Sequence, residues 1–111
     1  MKPTTDDFLR AMKNMSRPGA REQRFLRAHC RATGGIATAN SLAKAAGYAN
    51  HNAINLRYGT LATAIGSQLG IKKCNLHLLV EFGPPGEVTN KEWLLVIRPE
   101  FARALSIAKW I

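Results

Sequence analysis

The sequence predicts a single α+β domain that is mostly helical, and three observations support this prediction. The chain has 111 residues, which is enough for one hydrophobic core and too few for two. Apolar residues recur at helical spacing along most of the first two-thirds of the chain. Two short runs of branched and aromatic residues follow, separated by a loop rich in glycine and proline. We therefore expect several helices and one β-hairpin, and not a two-domain enzyme.

The first predicted helix covers residues 4–15. Thr4 or Thr5 can cap it, and two aspartates follow in the first turn, where the helix dipole favours acidic side chains. The Ser-Arg-Pro-Gly stretch at 16–19 ends it. The residues expected to be buried recur at helical spacing, and they are Phe8, Met12 and Met15.

The second predicted helix, at about 20–32, has two chemically different sides. One side carries the residues expected in the core, Phe25, Leu26 and His29. The other side is basic, because four arginines fall within an arc of roughly 120° when each residue is advanced by about 100°. These four are Arg21, Arg24, Arg27 and Arg31. A glycine pair then ends the helix, and a short strand is predicted at 36–38.

Residues 38–69 have the pattern of a helix-turn-helix. Thr38 can cap a two-turn helix rich in alanine, which stops at Gly47. Asn50 can then cap a longer helix at about 51–69. Its buried stripe is predicted from apolar residues at steps of three and four, which are Ile54, Tyr58, Leu61, Ile65 and Leu69. A short helix, a glycine-bearing turn and a longer helix are typical of this motif.

The opposite side of the longer helix is predicted to be exposed. It consists of Asn52, Leu56, Gly59, Thr60, Thr63 and Ser67. Gly66 is expected on the same face as Gly59, and each glycine costs about 1 kcal/mol of helix stability relative to alanine. We expect one of two reasons for them: the close approach of another helix or of a phosphate backbone, or a bend in the helix near Gly59.

Residues beyond 70 predict a hairpin and a last helix. The strands are expected at 76–82 and 93–97, with the turn-rich segment 83–90 between them as an extended loop. Pro99 opens a final helix at 99–109. Its inner face is predicted to consist of Phe101, Ala104, Leu105 and Ala108, followed by Trp110.

A small strand, a helix-turn-helix and a hairpin, in that order, predict a winged helix-turn-helix with additional N- and C-terminal helices. We divide the single domain, residues 1–111, into a basic helical extension (1–34), the helix-turn-helix with its wing (35–98) and a C-terminal helix (99–111). In a winged helix the second helix of the pair enters the DNA major groove, and the hairpin lies over the neighbouring backbone or minor groove.

The charge of the chain favours a polyanionic partner. Sixteen Lys and Arg against seven Asp and Glu give a net charge of +9 and a pI near 10.3. The excess lies entirely in residues 1–73, which have 12 basic and 3 acidic side chains, whereas residues 74–111 have 4 of each. The order of elements and the position of the charge therefore both indicate nucleic-acid binding by the first two-thirds of the chain.

The candidate nucleic-acid-binding residues fall into two groups. The first turns of the longer helix can read base edges, because asparagine pairs with adenine and arginine with guanine. These candidates are His51, Asn52, Asn55 and Arg57. The second group is expected to contact phosphates without reading sequence, and it consists of Arg17, Arg21, Arg24, Arg27, Arg31, Lys44, Lys72, Lys73 and, in the hairpin loop, Lys91. The alternative for both groups is a solvated polar surface.

Neither catalysis nor a metal or cofactor site is predicted. The seven carboxylates are scattered, and no catalytic triad or phosphate-binding glycine loop occurs. A zinc site is disfavoured because its four possible ligands lack the paired spacing of zinc modules. Those ligands are His29, Cys30, Cys74 and His77. Without a long apolar run or a signal-like N-terminus, we expect a cytoplasmic protein, nucleoid-associated or present in the phage-infected host.

Leu42–Tyr48 and Asn52–Gly59, followed by Trp93 and Arg98–Glu100, resemble small winged-helix-like modules that accompany HNH-type endonucleases in bacteria and phages. The resemblance covers residues 36–110. It implies DNA recognition in a restriction-like system, with a specific or modified sequence as the target. The positions that match are Asn52, Asn55, Arg57, Tyr58 and Gly59. The nuclease half is absent, so the resemblance does not imply cleavage.

The leading interpretation is a non-enzymatic double-stranded DNA-binding protein of prokaryotic or phage origin. A first alternative is a phage-encoded inhibitor or interaction protein that acts on a host nucleic-acid-binding defence complex, with the neutral hairpin and C-terminal helix as its protein-contacting surface. A second alternative is an RNA-binding protein, which the small number of aromatic residues expected at the surface makes less favourable.

Overall fold

The computed structural model describes residues 2–83 and 94–111. These residues form five α-helices and one three-stranded antiparallel sheet. The elements in chain order are α1 (Thr5–Lys13), α2 (Ala20–Arg31), β1 (Ile36–Thr38), α3 (Ala39–Ala46), α4 (Asn52–Gln68), β2 (Val80–Gly83), β3 (Leu94–Ile97) and α5 (Pro99–Ile107). Two 3-10 turns, Thr33–Gly35 and Leu76–Leu78, lie before β1 and β2. The predicted class, α+β and mostly helical, is confirmed.

Local hydrogen bonds define the helix ends. Thr4 Oγ1 accepts from Asp7 N at 3.1 Å and Asp7 Oδ2 accepts from Thr4 N at 2.9 Å, which forms a capping box at α1. Thr38 Oγ1 accepts from Ser41 N at 3.1 Å at the start of α3. Helix α3 ends at Gly47, whose φ of +80° lies in the left-handed region. The predicted caps of these two helices and the predicted glycine stop are confirmed.

The sheet has the strand order β1-β3-β2, and both pairings are antiparallel. Ile36 of β1 and Glu81 of β2 both lie opposite Val96 of the central strand, β3. The small first strand therefore joins the same sheet as the hairpin strands. Of the predicted loop at 83–90, Gly83 belongs to β2 and residues 84–90 lie outside the described residues, as do Lys91 and Trp93, the predicted first residue of the second strand.

One hydrophobic core joins the helices to the sheet. Phe8 of α1 packs on Phe101 of α5 with 5.3 Å between ring centroids, and Phe25 of α2 packs edge-on against Tyr58 of α4 at 5.1 Å. Most residues predicted to be buried are buried, namely Phe8, Met12, Phe25, Leu26, His29, Ile54, Tyr58, Ile65, Phe101, Ala104, Leu105 and Trp110. The others, which are partly buried at the edge of the core, are Met15, Leu61, Leu69 and Ala108.

A buried histidine connects α2, α4 and β3. His29 Nε2 lies 2.8 Å from the Leu95 carbonyl oxygen, and His29 Nδ1 lies 2.6 Å from Tyr58 Oη. Because a carbonyl oxygen can only accept, Nε2 carries the proton and Nδ1 of the neutral ring accepts from the tyrosine hydroxyl. Burial lowers the pKa of His29 below its ordinary value of 6.5, and its hydrogen bond to the Leu95 backbone only partly opposes that shift.

The prediction of a strand at 76–82 is wrong for residues 76–79. Leu76–Leu78 form a 3-10 turn, because Asn75 Oδ1 accepts a hydrogen bond from His77 N at 2.9 Å. This local side-chain cap outweighs the β propensity of the apolar run. Strand β2 therefore begins only at Val80.

The two glycines of α4 have different surroundings. The helix is continuous from Asn52 to Gln68, so it does not break at Gly59, and a Cβ at Gly59 would meet nothing within 4 Å. The prediction that Gly66 is exposed is wrong, because the side chain of Cys74 packs directly against it and occupies the space a Cβ would need. The close neighbour is thus the chain that follows α4, and not another helix.

Candidate nucleic-acid interface

The basic side of α2 is open to solvent. Arg21, Arg24 and Arg31 are exposed and Arg27 is half-buried, and we call these four residues the α2 arginine face. Within residues 2–83 and 94–111, the ion pairs involve other arginines, and no carboxylate lies within ion-pairing distance of this face. Positive charge without a carboxylate partner inside the protein attracts an external anion.

Tyr48, in the turn between α3 and α4, brings α2 and α4 together at the surface. The Arg21 guanidinium carbon lies 5.6 Å from the centroid of the Tyr48 ring, and the Arg57 guanidinium carbon lies 5.9 Å from it. Both distances are within cation–π range. The tyrosine ring thus connects one end of the α2 arginine face to the first half of α4, and the three side chains form one group, the arginine–tyrosine cluster.

Glu22 fixes the position of Arg57. Arg57 Nη1 lies 3.5 Å from Glu22 Oε1, while Glu22 Oε2 accepts a hydrogen bond at 3.0 Å from Gly19 N at the start of α2. The Arg57 side chain is 48% exposed, so the ion pair orients the guanidinium without removing it from solvent. Because the pair is partly solvated, its main effect is on geometry and its contribution to stability is small.

The outward face of α4 is polar around one exposed leucine. We define this face by five exposed residues, which are Asn52, Leu56, Thr60, Thr63 and Ser67. Leu56 is 67% exposed, the highest value among the large exposed apolar side chains of the described residues. The predicted base-reading candidate Asn55 is half-buried beside this face, and His51 is exposed at the start of the helix.

The predicted lysines lie at separate places around α4. Lys44 is exposed on α3. Lys72 and Lys73 are exposed after the C-terminal end of α4, where they line a groove together with Thr63 and Ser67. A helix of 17 residues is about 25 Å long, so these two lysines lie far from Asn52 along the helix axis, at the other end of its outward face.

Arg17 differs from the other candidate phosphate contacts. Its Nη2 donates a hydrogen bond to the carbonyl oxygen of Lys109 at 2.6 Å, although the side chain is exposed. Arg17 and Arg57 both line a groove between the segment after α1, helix α4 and Trp110. Arg17 therefore connects the two ends of the chain, and part of its hydrogen-bonding capacity is already used.

An arginine of the neutral C-terminal third shows the opposite arrangement. Arg98 Nη1 lies 2.9 Å from Glu81 Oε1, and Arg98 Nε donates to the His77 carbonyl oxygen at 2.9 Å. The side chain is only 20% exposed. Its charge is used inside the protein to join the start of α5 to β2, whereas the charges of the α2 arginine face are not.

The cysteines and histidines of the described residues do not gather into a metal site. No group of three or more His, Cys, Asp or Glu side chains in this part of the chain could hold an ion. Cys74 Sγ donates to the Ala62 carbonyl oxygen at 3.1 Å. Burial raises the pKa of Cys30 to about 11, so this thiol stays protonated at neutral pH and is a poor nucleophile.

Sequence reasoning did not find the arginine–tyrosine cluster or the role of Glu22. Tyr48 directly follows the glycine stop of α3, and its ring contacts come from Arg21 of α2 and Arg57 of α4, whose positions in the sequence do not indicate this contact. One signal was present: Glu22 is the lone acidic residue between Arg10 and Arg31. Such an isolated acid within a basic segment is a candidate for a structural ion pair.

Comparison with known proteins gives no relative for this chain. It matches no family model, no curated protein and no solved structure. Of the helices in the described part of the chain, none has the length and apolar character needed to cross a membrane.

Proposed function

We propose that this protein is a non-enzymatic double-stranded DNA-binding protein built as a winged helix-turn-helix. Helices α3 and α4 form the helix-turn-helix, α4 is the recognition helix, and strands β2 and β3 carry the wing. The element order β1-α3-α4-β2-β3 supports this assignment, as does the pairing of the small strand β1 with the hairpin strand β3. The resemblance to modules of restriction-like systems adds a specific or modified sequence as the target.

The observation that carries the proposal is the arginine–tyrosine cluster. Through Tyr48 it joins the α2 arginine face to the first half of α4, so that unpaired positive charge lies beside a helix with an outward polar face. The DNA major groove is about 12 Å wide and admits one helix, with a phosphate backbone along each edge. Helix α4 would occupy the groove, and the α2 arginines would contact the phosphates of one edge.

The burial of the aromatic residues favours a duplex over a single strand. Proteins that bind single-stranded nucleic acid stack bases on exposed aromatic side chains. Here Phe8, Phe25, Tyr58, Phe101 and Trp110 are buried in the core. The ring of Tyr48 is half-buried between two arginines. Among the described Phe, Tyr and Trp residues only Phe82, on β2, is exposed, so this surface offers few rings for unstacked bases and is better suited to phosphates and groove edges.

The two groups of candidate residues have different roles in this proposal. Asn52 belongs to the outward face of α4 and is our leading candidate for a base contact. Arg57 is held by Glu22 and Tyr48, so we assign it to the groove edge, where a fixed guanidinium contacts phosphate. Asn55 is half-buried and is assigned to positioning.

The test is a titration of the protein against a random 20-base-pair duplex, single-stranded DNA and structured RNA. Fluorescence anisotropy at 50 and 200 mM salt gives the affinity and its salt dependence. We expect tightest binding to the duplex, and a loss of affinity of 10-fold or more over this range, because phosphate contacts release counterions. Absence of duplex binding at 50 mM salt would refute the proposal.

A double variant tests the arginine face directly. Arg24→Ala with Arg27→Ala removes two phosphate contacts, and we expect weaker binding to all duplexes and a salt slope that is smaller by about two. The matched control is Lys2→Ala with Arg103→Ala, which removes the same charge from two exposed residues that line a groove between the N-terminus and α5. Equal effects of the two pairs would mean that net charge alone, and not the α2 arginine face, controls binding.

A protein partner is the second candidate function, and exposed apolar residues of the neutral third favour it. Ile107 on α5 is 57% exposed and Phe82 on β2 is 42% exposed. This is the surface that an inhibitor or interaction protein would use. Such binding would depend on salt much less than duplex binding does, so the same titration series, repeated with a captured partner, distinguishes the two functions.

A further inference from the structure

Leu56 is an apolar side chain in the middle of a polar, outward-facing surface. It is 67% exposed, and its neighbours one turn before and one turn after on α4 are Asn52 and Thr60, both exposed. Leu56 does not belong to the core, to which α4 contributes Ile54 and Tyr58 from the other side of the helix. Its chemistry is therefore available to a partner of the outward face of α4.

The other large apolar side chains with high exposure lie elsewhere. Ile107 is at the end of α5, Ile36 is on an edge strand, and Phe82 packs against the His77 ring with 4.8 Å between centroids. Only Leu56 among these four lies on the proposed recognition helix. The role of Leu56 therefore depends on which part of the partner contacts α4.

The major groove presents one apolar group to a recognition helix. Each base pair shows hydrogen-bond donors and acceptors there, and the C5-methyl group of thymine is the apolar feature. A methyl group at C5 of a modified cytosine occupies the corresponding place on that pyrimidine. We infer that Leu56 reads a pyrimidine C5-methyl group in the major groove, and this inference rests on the proposed function.

The position of Asn52 supports this assignment. Residues four apart on a helix are separated by about 6 Å along its axis, close to two base-pair steps of about 3.4 Å each. Asparagine is the residue that pairs bidentately with adenine. Asn50 Oδ1 accepts from Asn52 N at 2.9 Å, which fixes the first turn of the helix from which Asn52 projects. Asn52 and Leu56 together would read an adenine and a methylated pyrimidine within one short site.

The same contact would let the protein distinguish DNA from RNA. Uracil lacks the C5-methyl group, and the deep, narrow major groove of A-form RNA excludes side chains. A leucine gains nothing from uracil at this position. The basic residues of the binding surface would therefore contact any nucleic acid, whereas Leu56 would make its apolar contact only with a pyrimidine that has a C5-methyl group.

The experiment compares methylated and unmethylated forms of one duplex. Two selections are made from a randomised 20-base-pair library, one with ordinary DNA and one with every cytosine 5-methylated. Each enriched duplex is then synthesised in matched forms. In one pair of forms uracil replaces thymine, and in the other pair 5-methylcytosine replaces cytosine. Fluorescence anisotropy gives the affinity of the full-length protein for each form, and of Leu56→Ala and the matched control Ile107→Ala.

We expect the wild-type protein to bind the methylated form of the duplex about fourfold more tightly than the unmethylated form, because this is the change in affinity that burying one methyl group produces. If affinity falls when uracil replaces thymine, the methyl group that Leu56 contacts is that of thymine. If affinity rises when cytosine is replaced by 5-methylcytosine, the methyl group is that of the modified base. Leu56→Ala should bind both forms equally, whereas Ile107→Ala should keep the discrimination. Because Leu56 is exposed, its replacement leaves the core intact.

Two results would overturn the inference. Salt-dependent duplex binding with equal affinity for all forms, or discrimination that persists in Leu56→Ala, would show that Leu56 does not read the methyl group, and DNA binding itself would stand. If the wild-type protein binds no duplex, the proposed function fails together with the inference, and the exposed leucine would then belong to a protein interface.

Discussion

The two halves of α4 are attached to the rest of the protein in different ways. The first half, residues 52–60, is tied to α2 by polar side chains. Tyr58 Oη hydrogen-bonds to His29 at 2.6 Å, and Arg57 forms an ion pair with Glu22 at 3.5 Å. Both contacts join a side chain of α4 to a side chain of α2.

The second half, residues 61–68, is held by the chain that follows it. Ile71 N donates to the Gly66 carbonyl oxygen at 2.8 Å, and Cys74 Sγ donates to the Ala62 carbonyl oxygen at 3.1 Å. The Cys74 side chain also fills the space beside Gly66. The second half is thus joined to the following chain by hydrogen bonds to its backbone carbonyls and by close packing, whereas the first half adds side-chain polar contacts to its buried residues Ile54 and Tyr58.

This difference shows how α4 can pack into the core on one side and present polar residues to solvent on the other. The buried stripe of α4, which includes Ile54 and Tyr58, turns Asn52 and Leu56 outward, and the polar contacts to α2 add to this packing. The second half supplies close packing that leaves no room for variation at Gly66. We therefore expect changes in the first half to alter stability through polar groups, and changes in the second half to act through steric fit.

The largest effect is expected for Tyr58→Phe. This change keeps the ring in the core but leaves His29 Nδ1 buried without a hydrogen-bond donor, which costs about 2 kcal/mol of unfolding free energy. Urea unfolding at pH 7.5 measures it. The matched control is Tyr48→Phe, because Tyr48 has no hydroxyl hydrogen bond within the described residues and its ring contacts are kept. A similar stability for both variants would contradict the role assigned to His29.

A second effect is a dependence of stability on pH. Burial lowers the pKa of His29 in the folded protein below its ordinary value of 6.5. When the pH falls below 6.5, His29 therefore binds a proton in the unfolded chain before it does so in the folded protein. Stability should be constant above about pH 7 and should decrease below 6.5, by at most about 1.4 kcal/mol per pH unit. Unfolding in urea at pH 7.5, 6.5 and 5.5 tests this.

Two histidine variants assign that pH dependence. His51→Gln changes an exposed histidine and should keep the decrease of stability below pH 6.5, whereas His29→Gln should abolish it. If the free energy of unfolding of His29→Gln depends on pH in the same way as that of the wild-type protein, another titratable group causes the pH dependence.

The helices could be predicted from sequence because their signals are local. Caps at Thr4 and Thr38, the stop at Gly47 and the apolar spacing of α4 act within a few residues, so the pattern reflects the structure directly. The start of β2 could not be predicted, because the side chain of Asn75 stabilises a turn inside an apolar run.

The candidate site was predictable only in part. The position of the α2 arginine face follows from helical periodicity, and the structure leaves Arg21, Arg24 and Arg31 exposed, with Arg27 half-buried. The contacts of Arg57 with Glu22 and Tyr48 depend on how α2, the turn and α4 pack in space, and no spacing in the sequence encodes them. The same reason explains Gly66, whose close neighbour Cys74 lies in a loop without periodicity.

Gly66→Ala tests the steric fit of the second half. The added methyl group collides with Cys74 Sγ, and the cost of overpacking exceeds the gain in helix propensity, for a net loss of about 1 kcal/mol. In a Cys74→Ala background the sulfur is absent, so the same change should be neutral or stabilising. Additive effects in urea unfolding of the two single variants and the double variant would show that the two residues are not coupled.

Gly59→Ala is the smallest change and separates folding from binding. A methyl group at Gly59 meets nothing within 4 Å, so the helix should gain about 0.8 kcal/mol of unfolding free energy from the better propensity of alanine. No contact inside the described protein therefore explains a glycine here, and we expect it to permit the close approach of DNA to α4. The variant should unfold at higher urea concentration than the wild-type protein and bind duplex DNA more weakly. Higher stability with unchanged duplex affinity would show that the DNA does not approach α4 closely at this position.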